Sequence, residues 1–206
     1  HFIIAERPEF WRAFITEHVN ILAMNEEEGE ALTGSSDPLL ACDRALEWTD
    51  LVLCTAAPTG LYLAGFTDDT VKRQTRYPLL PGAIPEFNRY EFSRPMLKRE
   101  CGAPIKVFAH IAPYHGGPAR ITSTNGAGDA ALAALLHDMS ANLYHRARVQ
   151  SSAKHVRNFL TYSSISQVCR YANRVSYEVR VQSSPRLTRG LPEREEGLNE
   201  EAYWAM

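Results

Sequence analysis

The sequence has little that would mark a membrane protein, a secreted scaffold or a nucleic-acid binder. No apolar run approaches the roughly 18 residues that a transmembrane helix needs, so no membrane partner is expected. Net charge is −2, which supplies no basic field for DNA, RNA or an anionic membrane surface. There are only four cysteines, Cys42, Cys54, Cys101 and Cys169, and no CxxC pair among them. Free thiols and a cytoplasmic location are the expectation. The seven histidines show no HExxH or other tight ligand spacing. No GK[ST] is present, which excludes a Walker loop, and the Gly126-Ala127-Gly128 turn lacks the third glycine of the dinucleotide fingerprint. No signal peptide and no internal repeat are recognisable, and the first residue is His1 rather than Met.

What is there fits one domain of ordinary size. The 206 residues are 45% hydrophobic and 22% charged, enough for a real core. His1-Phe2-Ile3-Ile4-Ala5 reads as the tail of a buried strand entered midway, so a fragment or processed part of a longer protein is expected. Pro8 opens a helix whose Phe10, Trp11, Phe14 and His18 share one face. Residues 21–24 and 51–55 are short apolar runs that suit buried strands. Residues 61–66 form another, joined to 51–55 by a turn over 56–60 as a hairpin. Between 21–24 and 51–55, a helix over 26–33 stops at Gly34, and Asp37-Pro38 opens a second that runs to Trp48. Residues 68–104 read as a long surface excursion with one short helix over 87–96, and 144–157 as a second, basic excursion. Residues 105–111 are a strand. Phe159, Tyr162, Ile165, Cys169, Ala172, Val175 and Val179 recur at helical spacing, which predicts a long amphipathic helix. Strands alternating with helices argue a layered α/β fold.

The most informative run is Thr124-Asn125-Gly126-Ala127-Gly128-Asp129. A stretch of strong helix formers, residues 130–136, follows at once, and the spacing predicts a helix over 130–142. The glycines therefore sit at a helix N-terminus, where unpaired N–H groups and the helix dipole favour an anion. Asp129 stands beside that position, where a carboxylate can take a proton from an attacking hydroxyl. A plain helix cap by Asp129 fits the same pattern. Elsewhere, Asn25-Glu26-Glu27-Glu28 follows a strand end, where carboxylates often face a crevice; on the residues alone a solvated acidic helix start is the better reading. Thr55 to Gly60 reads as a simple hairpin turn, and Ala172-Asn173 as an ordinary polar position on a helix face. His110 and His115 read as structural, and Lys154, His155 and Arg157 as a solvated basic set.

The run 124–129 resembles the second signature, D-T-T-G-A-G-D, of the ribokinase-like (PfkB) sugar and nucleoside kinases, with Ser123 and Asn125 in place of the first Asp and second Thr. The wider stretch through His137-Asp138 is closer to the bacterial inosine-guanosine kinases of that family. So are Tyr77-Pro78-Leu79-Leu80-Pro81-Gly82-Ala83-Ile84 and Ser184-Pro185-Arg186-Leu187-Thr188-Arg189-Gly190-Leu191-Pro192-Glu193-Arg194-Glu195. The resemblance covers all 206 residues and implies the C-terminal half of such an enzyme, without its N-terminal half. It implies a three-layer α/β/α fold and transfer of the ATP γ-phosphate to the 5′-hydroxyl of inosine or guanosine. A sugar or adenosine kinase, and a non-catalytic nucleotide-binding fragment, are the alternatives. It further implies Asp129 as base, Gly126, Ala127 and Gly128 as phosphate cradle, and Thr55, Gly60 and Asn173 along ATP. In the family's T-x-G-x-x-G pattern, Ala57 replaces the first glycine. Asn25 and Glu28 match its N-x-x-E, implying outer-shell Mg²⁺ contacts through water. A monovalent cation such as K⁺ is often needed in the family, and a homo-oligomer is a further expectation.

Overall fold

The runs Leu51–Ala56 (β2) and Gly60–Asp68 (β3) are apolar on both faces because both faces are covered. In the computed structural model, which describes residues 2–57, 59–68, 90, 92–114, 121–152, 155 and 157–192, they form the centre of a four-stranded sheet. Ile21–Asn25 (β1) runs parallel to β2, and Pro104–Ile111 (β4) antiparallel to β3, in the order β1-β2-β3-β4. β2 and β3 are a hairpin tighter than the expected turn, since Ala56 and Gly60 already pair. Gly60 has φ +106, and a Cβ there would lie 2.0 Å from the Ile111 carbonyl oxygen. The strand pairing itself therefore requires this glycine.

Side chains alternate across the sheet into two cores. On one face Met24, Val52, Cys54, Ala64 and Phe66 pack under Glu26–Thr33 (α3) and Pro38–Ala45 (α4). On the other, Leu51, Leu53, Leu63, Val107 and Ile111 pack under Ala127–Arg148 (α5) and Ile165–Arg180 (α6). This is the expected three-layer α/β/α arrangement. Helix limits follow from local chemistry. Asp37 caps α4 by accepting from the Leu39 and Leu40 amides, and left-handed Gly34 ends α3.

Five expectations are corrected. The described residues of the strand expected over 1–5 form none: Phe2–Glu6 is a short helix, no residue of it is buried, and Phe2 and Ile3 are 74% and 70% exposed. Among the described residues this segment pairs with no strand of the sheet. Pro8–His18 continues as the expected helix. α4 ends at Ala45 and passes through turns to Trp48. α5 runs on to Arg148, into the stretch read as an excursion, and α6 begins only at Ile165. Ser164 and Gln167 form a capping box that sets that start. The short helix expected over 87–96 is not formed in its described part: Tyr90 and Phe92 are in turns, 93–95 are irregular, and Met96 bridges Phe66 and Phe159 as extended chain. Residues 69–89, His115, Lys154 and everything from Glu193 onward lie outside the described residues.

The segment before α6 is held by polar residues buried inside α5. Asp138, fully buried, accepts from the Tyr162 amide at 2.7 Å and the Ser163 amide at 3.1 Å. Asn142 donates to the Phe159 carbonyl at 2.7 Å. Asp138→Ala strands two buried donors and is expected to cost about 2–4 kcal/mol in urea unfolding. A change within about 0.5 kcal/mol, the range of neutral surface substitutions, would show that water replaces the carboxylate there.

Candidate active site

The carboxyl ends of β1 and β2 and the N-terminus of α5 meet around an open cleft of about 550 Å³. Crevices of layered α/β folds form at such strand ends. Asn25, Glu28, Thr55, Gly60, Gly126, Ala127, Gly128, Asp129 and Asn173 all line this one cleft. They come from five separate stretches of chain. Glu26, Glu27 and Thr124, neighbours of these in the same runs, line it too; Pro113, Ser176 and Arg180 line it as well and were not singled out from the sequence. A helical-face reading exposes two of them, because Ser176 and Arg180 stand three and seven positions after Asn173 on α6.

The glycine turn is built from behind. Gly126 has φ +78, and a Cβ on it would lie 2.4 Å from the Pro185 carbonyl oxygen. The Arg180 carbonyl accepts from the Thr122 and Ser123 amides at 2.8 and 3.3 Å, fixing the approach to the turn. α5 then starts with no side-chain cap. The Ala127 amide is turned to the Thr124 carbonyl at 3.3 Å, so it is partly committed. The amides of Gly128 and Asp129 have no protein partner among the described residues and remain as donors for a ligand. The Asp129 carboxylate is exposed and makes no capping bond. The reading of Asp129 as a plain helix cap therefore does not match the geometry. A Cβ on Gly128 would meet only Thr55 Oγ1, at 3.7 Å, so packing does not demand a glycine there.

Other members carry structural work beside their place in the cleft. Asn25 and Glu28 form a reciprocal capping box: Asn25 Oδ1 accepts from the Glu28 amide at 2.8 Å, and Glu28 Oε2 from the Asn25 amide at 2.9 Å. Glu28 keeps its other carboxylate oxygen, and Asn25 its amide protons. Asn173 donates through Nδ2 to the Ala112 carbonyl at 2.7 Å, which orients its Oδ1 as a free acceptor. The cleft's donors are oxygens, which suit Mg²⁺. No cluster of three metal-ligating His, Cys, Asp or Glu exists among the described residues, so these residues fit a metal held largely by phosphate and water.

The mixed sheet, its three layers and the glycine turn opening a helix define a ribokinase-like kinase fold. Solved structures share it: a probable sugar kinase from Rhizobium etli (TM-score 0.55, 12% identity, 92% of this chain and 39% of that one). An adenosine kinase from Sinorhizobium meliloti is comparable (TM-score 0.52, 15% identity, 92% and 40%). In sequence, the chain is 66% identical over 203 residues to guanosine-inosine kinase of Escherichia coli K12. That match covers 98% of this chain and 46% of the relative, so the chain spans about half the length of the curated relatives it matches. Its fold is that of the ribokinase-like kinases. No family model matches.

The two turn glycines are expected to behave oppositely. Gly126→Ala must hold an L-residue in left-handed backbone against Pro185 and should lose at least about 1–2 kcal/mol. Gly128→Ala, in the first helical turn, should leave stability unchanged or raise it by up to about 1 kcal/mol. Urea midpoints of the two variants check this, and equal losses would contradict it.

Proposed function

We propose that this chain is the C-terminal, nucleotide-binding and catalytic half of an ATP-dependent nucleoside kinase acting on inosine or guanosine to give IMP or GMP. One observation carries the reading: nine positions scattered over the sequence converge on a single cleft at an uncapped helix N-terminus. The 66% identity to a guanosine-inosine kinase supports inosine or guanosine as the acceptor. In this reading Asp129 takes the proton from the 5′-hydroxyl as the new O–P bond forms. The bond from the γ-phosphorus to the β,γ-bridging oxygen breaks, and ADP leaves. The Gly128 and Asp129 amides, with Gly126 shaping the turn, face the charge on the transferring phosphoryl group. Thr55 and Gly60 border the phosphate path and Asn173 the base. Asn25 and Glu28 would hold Mg²⁺ through water, and the ion would offset phosphate charge. Four free cysteines, three of them buried, suit a reducing cytoplasm.

The other half of such a protein has a place to sit. β1 is an edge strand, and beside it an apolar groove of about 560 Å³ is lined by Phe2, Ile3, Trp11, Phe14, Leu22 and Leu32. On the sheet's opposite side, Leu136 and Leu143 of α5 are 45% and 65% exposed. Apolar faces of this extent mark an interface. The reading assigns them to the additional sequence of the longer relatives, which would also bring nucleoside contacts; self-association of the 206-residue chain is the alternative.

Two outcomes are expected. In an enzyme containing both halves, Asp129→Asn lowers kcat about 10²- to 10⁴-fold with little change in ATP affinity, the usual worth of a general base. Near-normal turnover removes Asp129 from that role. The 206-residue chain alone should phosphorylate inosine little or not at all, measured by ADP release with and without inosine. Robust turnover by a preparation of 23.1 kDa mass would show that the acceptor site lies within this half.

A further inference from the structure

Arg180 has no structural use that its position explains. It is the last residue of α6, and its backbone carbonyl is bonded to the Thr122 and Ser123 amides, so its Cα is tied to the strand of chain that leads into the glycine turn. Its side chain lines the cleft. Its Nε is shut off from solvent and has no hydrogen-bond partner. No ion pair or ring contact engages the guanidinium among the described residues either. Among the other arginines, Arg170 and Arg174 have a buried Nε outside any hydrogen bond, and Arg94 a buried Nη1. Each of those three has a further interaction, and Arg180 does not. A buried charged donor left unpaired costs more than the average hydrogen bond returns, so such a group marks a position completed by something else.

The cleft's charges say what completes it. Glu26, Glu27, Glu28 and Asp129 line it as acids, and Arg180 is the one Lys or Arg among the described lining residues. None of those acids pairs with it. A planar guanidinium presents forked donors that match a phosphate. Along α6, Arg180 stands seven residues beyond Asn173, roughly 10 Å at 1.5 Å per residue, toward the glycine turn. That displacement separates it from the base side of the cleft and places it on the anion side. We propose that Arg180 binds the polyphosphate of the nucleotide donor, acting with the Gly128 and Asp129 amides as the protein's cationic contact to it. The bland alternative is that Arg180 merely complements the C-terminal dipole of α6, as a basic residue in a last turn does. That role is served in solvent and needs no buried, partnerless Nε.

The proposal rests on the kinase reading, and its test separates the two. In the enzyme containing both halves, R180Q and R180K are compared with the unaltered protein. The expected result for R180Q is a KM for ATP raised roughly 10- to 100-fold, the worth of a charge-assisted hydrogen bond. The KM for inosine and the thermal midpoint stay unchanged. Inorganic tripolyphosphate, titrated calorimetrically, should lose affinity by a similar factor, with R180K recovering only part because it lacks the fork. If R180Q loses tripolyphosphate affinity but the unaltered protein transfers no phosphate to any nucleoside, the kinase reading fails and the Arg180 contact stands. Unchanged ATP and tripolyphosphate affinity in R180Q overturns the proposal. So does a rise confined to the inosine KM, or a lowered thermal midpoint with binding intact, which is the dipole role.

Discussion

Everything in the cleft depends on one tight junction, the packing of left-handed Gly126 against the Pro185 carbonyl. It points the first turn of α5 into the cleft and leaves its amides uncapped. Around it, the Arg180 carbonyl fastens the approach to the turn, and Thr122 Oγ1 donates to the Gln182 carbonyl at 2.6 Å. The segment after α6 is thus part of the site without supplying a side chain to it. This gives a physical reason for the stretch beginning Ser184-Pro185 to share the character of the glycine turn itself: each is shaped to the other.

The architecture also shows how little of the site is reserved for chemistry. Asn25 and Glu28 cap α3 with one side-chain oxygen each while also lining the cleft, and Asn173 ties α6 to the residue after β4. Gly60 is glycine because β3 must pass the Ile111 carbonyl. Gly128 is different, since nothing in the protein crowds its missing Cβ. Substituting the first group would confound folding with function, whereas Gly128 and Asp129 report on the ligand side alone.

Much of the fold was legible from local signals. The apolar runs of β2, β3 and β4 are long enough to need two covers, and Asp37-Pro38, Gly34 and the glycine turn punctuate their helices unambiguously. What was not legible was decided by distant partners. Phe2-Ile3-Ile4 reads as a strand but pairs with none, and forms a helix against the Pro8–His18 helix and α3. The length of α5 and the late start of α6 turn on Asp138 and Asn142, whose partners lie more than fifteen residues away. No composition or spacing reveals that a polar helix residue faces inward to hold a loop. The site was legible through the resemblance more than through spacing, because Asn25 and Glu28 look like a helix start and are one.

The β2–β3 hairpin closes over a few residues, whereas β1 reaches β2 only after the whole crossover through α3 and α4. Loop-closure entropy makes the hairpin the cheaper contact and the parallel pairing the dearer one. The cleft spans that dearer seam, with Asn25 and Glu28 on one side and Thr55 on the other. Ligand affinity is therefore a readout of complete tertiary assembly. A partly opened molecule that keeps its hairpin, its α5–α6 pair and most of its core would already have lost the site.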